Sequence, residues 1–239
     1  TGDNVLFSND AFGQHYASEF LFNDLVDQAE LVAECIKYYA NILTPFSPLV
    51  AKKINEVLSL SLPIDIIAPS HGVVWRKDPV QIVQKYIEWA NNYQENQITI
   101  LYDTMWDGTR VMAENIAHGI RQKDTIVNVK LYNISKTDKN DVITEVFKSK
   151  MILVGSPTIG QGITSSTAGI LEEIEGLKFK NKEAAAFGCY GWSGESVSKI
   201  SEKLKKSGFL IVNEGIKCLW NPDEESIKKC IAFGISLIR

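Results

Sequence analysis

From Gln97 to its last residue the chain repeats one pattern without interruption: an apolar run of strand length, a short connection, then an amphipathic stretch of helix length. The strands fall at Ile98–Tyr102, Ile126–Leu131, Met151–Gly155, Glu183–Gly188 and Phe209–Ile216. The helices fall near Thr109–Arg121, Lys139–Lys148, Thr164–Ile174, Glu195–Ser207 and Asp223–Ile238. Strands that alternate with helices of this length across short connections predict an α/β fold, a doubly wound five-stranded parallel sheet covered on both faces, with right-handed crossovers. Roughly 140 residues is an ordinary size for such a domain. Its ligand lies beyond the carboxyl ends of the strands, where strand order reverses, so the loops after the first, third and fourth strands should converge.

Those three loops are the ones with unusual composition. The first reads DTMWDGT, Asp103 to Thr109. A hydroxyl-bearing turn from strand to helix gathers unpaired backbone N–H groups and the positive end of the helix dipole, which suits a phosphate monoester. It lacks the GxxxxGK[ST] that cradles a triphosphate and the GxGxxG that admits a pyrophosphate. A single terminal phosphate remains, as in flavin mononucleotide (FMN). Taken alone, the turn serves equally well as a capped helix start. The third strand leads into GSPTIGQGITSS (Gly155–Ser166), and the fourth into GCYGWSGES (Gly188–Ser196), where Tyr190 and Trp192 lie among glycines. Aromatic residues there are poorly placed for a core, whereas a flat ring system would gain from stacking on them. Partner anchors or plain surface aromatics are the other readings; three such loops on one edge favour a flavin.

The residues before this repeat belong to something else. A short strand, Val5–Phe7, stops at Ser8-Asn9-Asp10; helical stretches follow at Asp27–Ile42 and Pro48–Leu60, then a run Ile64–Ala68 that ends at PSHGVVW. A helix near Pro79–Tyr93 leads through Gln94-Glu95-Asn96 into the repeat, which sets two domains, 1–94 and 97–239. Asp10 and His71 each follow a strand, and carboxylate with neutral imidazole suits non-haem iron, manganese or zinc. Read as an isolated pair they have plainer explanations: Asp10 as a turn former, His71 as a polar residue packed on Trp75.

Composition narrows the function classes. With 239 residues, 45% of them hydrophobic, and a net charge of −4, the chain can bury a sizeable core and has no Lys/Arg-rich stripe, which argues against nucleic acid. No run approaches a bilayer span and the start does not read as a signal peptide, so no membrane is expected and a cytoplasmic place is. The four cysteines (Cys35, Cys189, Cys218, Cys230) form no CxxC, so a rubredoxin-like iron site, which needs two such pairs, is not expected here.

From Gln97 onward the sequence resembles a flavodoxin-like domain, with DTMWDGT as phosphate loop and GSPTIGQG and GCYGWSGES as the ring loops, which implies strand order 2-1-3-4-5. By that resemblance Thr104, Met105, Trp106, Asp107, Gly108 and Thr109 surround the phosphate, and Pro157, Thr158, Ile159, Tyr190, Gly191 and Trp192 border the ring. A carboxylate beside a phosphate is repulsive, so the Asp107 side chain is expected to face solvent. The pair NDAFGQH and SHGVVWR, followed by that domain, is similar over essentially the whole chain to the flavodiiron proteins, or A-type flavoproteins.

That similarity implies a metallo-β-lactamase-like αββα domain before the flavin domain. It makes Asp10 a bridge between two non-haem irons and His71 a ligand to one of them. His15 would at most support a ligand, and His118 has no role. The family's HxExDH motif does not occur and the chain has only three histidines, so it is expected to be the carboxyl-terminal part of a longer protein. The implied activity is that of an oxidoreductase passing electrons from an external donor, such as rubredoxin or a reductase, through FMN to a diiron centre that reduces dioxygen to water and/or nitric oxide to nitrous oxide. A head-to-tail homodimer, or a dimer of dimers, is implied too. The competing readings are a flavodoxin-like electron carrier or an FMN quinone reductase without a working metal site, and a lactamase-type hydrolase, which would not need the flavin domain.

Overall fold

In the computed structural model, which describes residues 3–239, the chain separates into two units between Tyr93 and Gln94. The first unit holds β1 (Val5–Asn9), α1 (Gln28–Tyr38), α2 (Ser47–Ser59), β2 (Ile66–Pro69) and α3 (Val80–Ala90). Its two strands pair in parallel, Leu6 beside Ile67, so that Asp10 and His71 leave the same end of a small sheet. Asp27 starts α1 by accepting a hydrogen bond from the Glu30 N–H at 2.8 Å. The single helix expected over Asp27–Ile42 stops instead at Tyr38, widens into a π turn at Tyr39–Leu43 and tightens into a 3-10 turn at Thr44–Phe46. The cause is local: Pro45 has no N–H to continue the ladder, and the Thr44 hydroxyl donates to the Ala40 carbonyl at 2.9 Å. Tyr39, Tyr86 and Trp89 form the aromatic centre of this unit, with ring centroids 5.1–5.5 Å apart.

The second unit runs β3 (Glu95–Tyr102), α4 (Gly108–Lys123), β4 (Asn128–Asn133), α5 (Lys139–Lys148), β5 (Ser149–Gly155), α6 (Ser165–Leu177), β6 (Glu183–Tyr190), α7 (Ser196–Lys206), β7 (Leu210–Ile211), β8 (Ile216–Leu219) and α8 (Glu224–Ser236). The sheet order is β4-β3-β5-β6, with β7 and β8 both on the outer edge of β6, and every pairing is parallel. This is the flavodoxin-like order 2-1-3-4-5 with an interrupted fifth strand. Buried Ile98, Ile100, Leu101 and Leu153 line the two central strands, as sheets covered on both faces require.

One strand differs from expectation. Phe209–Ile216 is not continuous; β7 stops at Ile211, and pairing resumes only at Ile216 and extends to Leu219. Between them Asn213 Oδ1 accepts the Gly215 N–H at 3.0 Å, and Gly215 takes φ +91°, a turn that lifts the chain off the ladder. A Cβ on Gly215 would lie 2.6 Å from the Ala186 carbonyl oxygen, so the turn also needs glycine for space. On one face α4 and α8 meet backbone to backbone: a Cβ on Gly119 would overlap the Ile231 carbonyl, and one on Gly234 would overlap that of Ile116. Among the described residues no helix is long and apolar enough to cross a membrane.

Candidate functional site

The β3–α4 turn satisfies some of its polar groups internally and leaves two hydroxyls without a partner. Asp103 N–H is taken by the Gly155 carbonyl at 3.0 Å, and Asp103 Oδ1 accepts the next N–H, that of Thr104, at 2.8 Å. Asp107 precedes α4 in the left-handed region, φ +63°, and its side chain does not cap the helix. Instead Arg110 Nε donates to Asp107 Oδ1 at 2.9 Å, which holds that carboxyl below its ordinary range. The first turn of α4 therefore keeps N–H groups that no side chain of Asp107 satisfies. The hydroxyls of Thr104 and Thr109 are buried without a hydrogen-bond partner, and the Cys189 thiol beside Thr109 is only a weak polar group. Each orphaned hydroxyl costs on the order of 1–3 kcal/mol unless something else bonds it. Two such hydroxyls at an uncapped helix start make the donor set that a phosphate monoester uses.

Three loops meet there, as the sheet order requires. They enclose a cleft of about 900 Å³ whose walls include Thr104, Met105, Trp106, Gly108, Thr109, Pro157, Thr158, Ile159, Tyr190, Gly191 and Trp192. Of the residues expected around a flavin only Asp107 does not line it, because its carboxylate is turned to Arg110. The β5–α6 loop is tied to the β6 end: Thr158 N–H reaches the Cys189 carbonyl at 2.8 Å, and Thr158 Oγ1 donates to Ser196 Oγ at 3.0 Å. Trp106 and Trp192 are 81% and 88% exposed, a large apolar surface left uncovered on the cleft rim.

Gly160, Gln161, Cys189 and Ser193, in the two ring loops though not among the residues expected at the ring, also line the cleft, and sequence reasoning missed Trp220 and Asn221 altogether. The last two come from a fourth loop, after β8. Their signal is Trp-Asn-Pro behind an apolar run, hidden because the strand ends at Leu219, three residues beyond the expected Ile216. Cys189 sits at the base of the cleft, and burial pushes its thiol up to about 12, which makes it a packing group rather than a nucleophile.

In the first unit the segments NDAFGQH and PSHGVVW clasp each other. Ser70 N–H donates to the Asn9 carbonyl at 2.8 Å, Val73 N–H to buried Gln14 Oε1 at 2.7 Å, and Trp75 Nε1 to the Phe12 carbonyl at 2.9 Å. Gly72, at φ +73°, leaves the space that the Gln14 carboxamide fills. This clasp brings His71 Nε2 to 3.3 Å from Asp10 Oδ1, which also accepts from Ser70 Oγ at 3.0 Å. The separation of His71 from Asp10 is the one a hydrogen-bonded imidazole and carboxylate adopt, and two ligands of one ion can share it. Among the described residues no cluster of three or more His, Cys, Asp or Glu side chains could hold a metal, so the pair alone does not make a site. His15 stacks edge-on against His71, ring centroids 5.7 Å apart, and His118 lies exposed on α4 beside Gln122.

Comparison with known proteins places this geometry. A family model described as Flavodoxin matches residues 100–234. The chain is 56% identical, over 98% of its length, to an anaerobic nitric oxide reductase flavorubredoxin of Vibrio vulnificus, of which it covers 47%. It superposes with a TM-score of 0.93 on rubredoxin oxygen:oxidoreductase from Desulfovibrio gigas, at 34% identity over 98% of this chain and 58% of that one. A flavodiiron protein from Giardia intestinalis gives a TM-score of 0.92 at 31% identity over 99% of this chain and 58% of that one. The chain spans about half the length of the curated relatives it matches.

Proposed function

The chain belongs to the flavodiiron proteins, with a flavodoxin domain across residues 100–234, and from that premise we propose that it holds FMN in the four-loop cleft and serves an oxidoreductase that reduces nitric oxide to nitrous oxide. The observation that carries the flavin reading is the pair of buried, unpartnered hydroxyls, Thr104 and Thr109, at a helix start left without a side-chain cap. Thr104, Thr109 and the first N–H groups of α4 would hold the phosphate; Tyr190 and Trp192 would cover the ring. When bound, the flavin supplies redox chemistry that no side chain has, taking electrons from a donor and passing them on. The chain's contribution is position and electrostatics: Asp107 is neutralised by Arg110 and turned away, so no free carboxylate opposes the phosphate.

Residues 1–94 we read as part of a metallo-β-lactamase-like domain in which Asp10 and His71 are two ligands of a non-haem diiron pair. Its other ligands come from outside the His, Cys, Asp and Glu side chains described here. Nitric oxide is the substrate because the Vibrio vulnificus relative is named for it; dioxygen, which the name of the Desulfovibrio gigas protein carries, is the alternative acceptor. On this reading the electron donor is an external rubredoxin-type protein or a reductase, the assembly a head-to-tail homodimer or a dimer of dimers, and the place the cytoplasm.

The test uses a polypeptide carrying this chain with the full ligand set. Asp10→Ala and His71→Ala should leave FMN uptake intact. They should reduce donor-driven nitric oxide consumption by more than the about 10–100-fold that loss of an outer partner of a metal ligand costs. Unchanged consumption in both variants would remove the metal role from this pair.

A further inference from the structure

The loop after β8 enters the cleft at both ends, and nothing in the three-loop account of such sites requires it to. Because β8 pairs with β6 through Cys189 opposite Cys218 and Tyr190 opposite Leu219, the chain leaves β8 level with the β6–α7 loop. Trp220 N–H is then held by the Tyr190 carbonyl at 2.8 Å. Trp220 takes φ +56°, a left-handed conformation that a bulky side chain rarely adopts. That turn sends the two residues in different directions. The Trp220 indole lies directly over Gly191, where a Cβ would be 2.8 Å from Cη2, and meets the Trp192 ring edge-on at 5.6 Å between centroids. Asn221 reaches the other end: its Oδ1 is 2.9 Å from where a Cβ of Gly108, the first residue of α4, would stand. It therefore sits at the same helix start as the orphaned Thr109 hydroxyl.

On the reading of the cleft as an FMN site, we propose that Asn221 is a phosphate ligand that gives the site its preference for a phosphorylated flavin, and that Trp220 is a positioning residue that fixes Trp192 against the ring. A carboxamide presents either its oxygen or its NH₂ by rotating about its last bond, so Asn221 turns a donor toward an anion without moving the backbone. The division of labour follows from the geometry. Asn221 lies at the end where only a phosphorylated flavin has charge, and Trp220 lies where riboflavin and FMN are identical.

Titration of the flavin-free full chain with FMN and with riboflavin, read by quenching of flavin fluorescence, separates the two roles. The wild-type chain should bind FMN more tightly than riboflavin. Asn221→Asp, which replaces a donor by a carboxylate at nearly constant size, should weaken FMN by about tenfold or more while riboflavin stays within about twofold. Trp220→Ala should weaken both ligands by the same factor. Asn221 and Trp220 are both exposed, so thermal unfolding of the variants should match the wild type and exclude a folding defect. If Asn221→Asp weakens both flavins equally or neither, or if Trp220→Ala changes the ratio of the two, the assignment is overturned while the FMN site stands. If the wild-type chain takes up neither flavin, the FMN reading falls and this inference with it.

Discussion

Among the described residues the buried side-chain hydroxyls of Thr104, Thr109 and Ser201 have no hydrogen-bond partner, and that two of the three stand together at the start of α4 is the residue-scale argument for an anion site there. Thr109→Val keeps the shape and removes the hydroxyl, so the flavin-free chain should unfold at an unchanged or higher temperature. The same variant should bind FMN about tenfold more weakly and riboflavin nearly as before, measured by fluorescence titration. A lower unfolding temperature with unchanged FMN affinity would make Thr109 a structural residue. The residue types in DTMWDGT and GCYGWSGES were legible because hydroxyls, glycines and aromatics in βα loops have no packing duty to explain them. Even the outward turn of Asp107 followed from charge, though its partner Arg110 did not. Asn221 was not legible: a single Asn before a proline reads as turn chemistry, and only the pairing register of β8 shows that it reaches the start of α4.

Among the elements, the strands of the second unit were readable from apolar runs and the helices from their spacing, because both faces of a parallel sheet are covered and no strand needs to alternate. The fifth strand failed for a specific reason. Its break rests on the turn that Asn213 and Gly215 make, at a place where the Ala186 carbonyl leaves room only for glycine, and the spacing need that fixes this Gly does not show in the sequence. The close approach of α4 and α8 is hidden in the same way, in two glycines that a sequence reader scores as helix weakeners. Gly234→Ala must push those helices apart, because its Cβ would overlap the Ile116 carbonyl. The variant should lose about 1–3 kcal/mol of unfolding free energy in a urea titration. FMN affinity should fall with it, since α4 presents the phosphate turn. An unchanged urea midpoint would mean that the two helices are free to separate.

At the scale of the molecule, each unit gathers polar side chains at the carboxyl ends of parallel strands. In the first, the clasp of two segments far apart in sequence brings His71 Nε2 to 3.3 Å from Asp10 Oδ1. In the second, the reversal of strand order between β3 and β5 opens the cleft. The parallel order and the convergence of loops were predictable from topology alone, whereas the fourth wall needed coordinates. The most direct test of the central claim is equilibrium dialysis of the purified, flavin-free chain against FMN, with the absorbance spectrum of the retained protein. The account predicts a yellow protein carrying a single FMN per chain, and half that occupancy or less in a Thr104→Val, Thr109→Val double variant at the same FMN concentration. A folded wild-type chain that stays colourless at saturating FMN, or a double variant that retains flavin as well as the wild type, would contradict it.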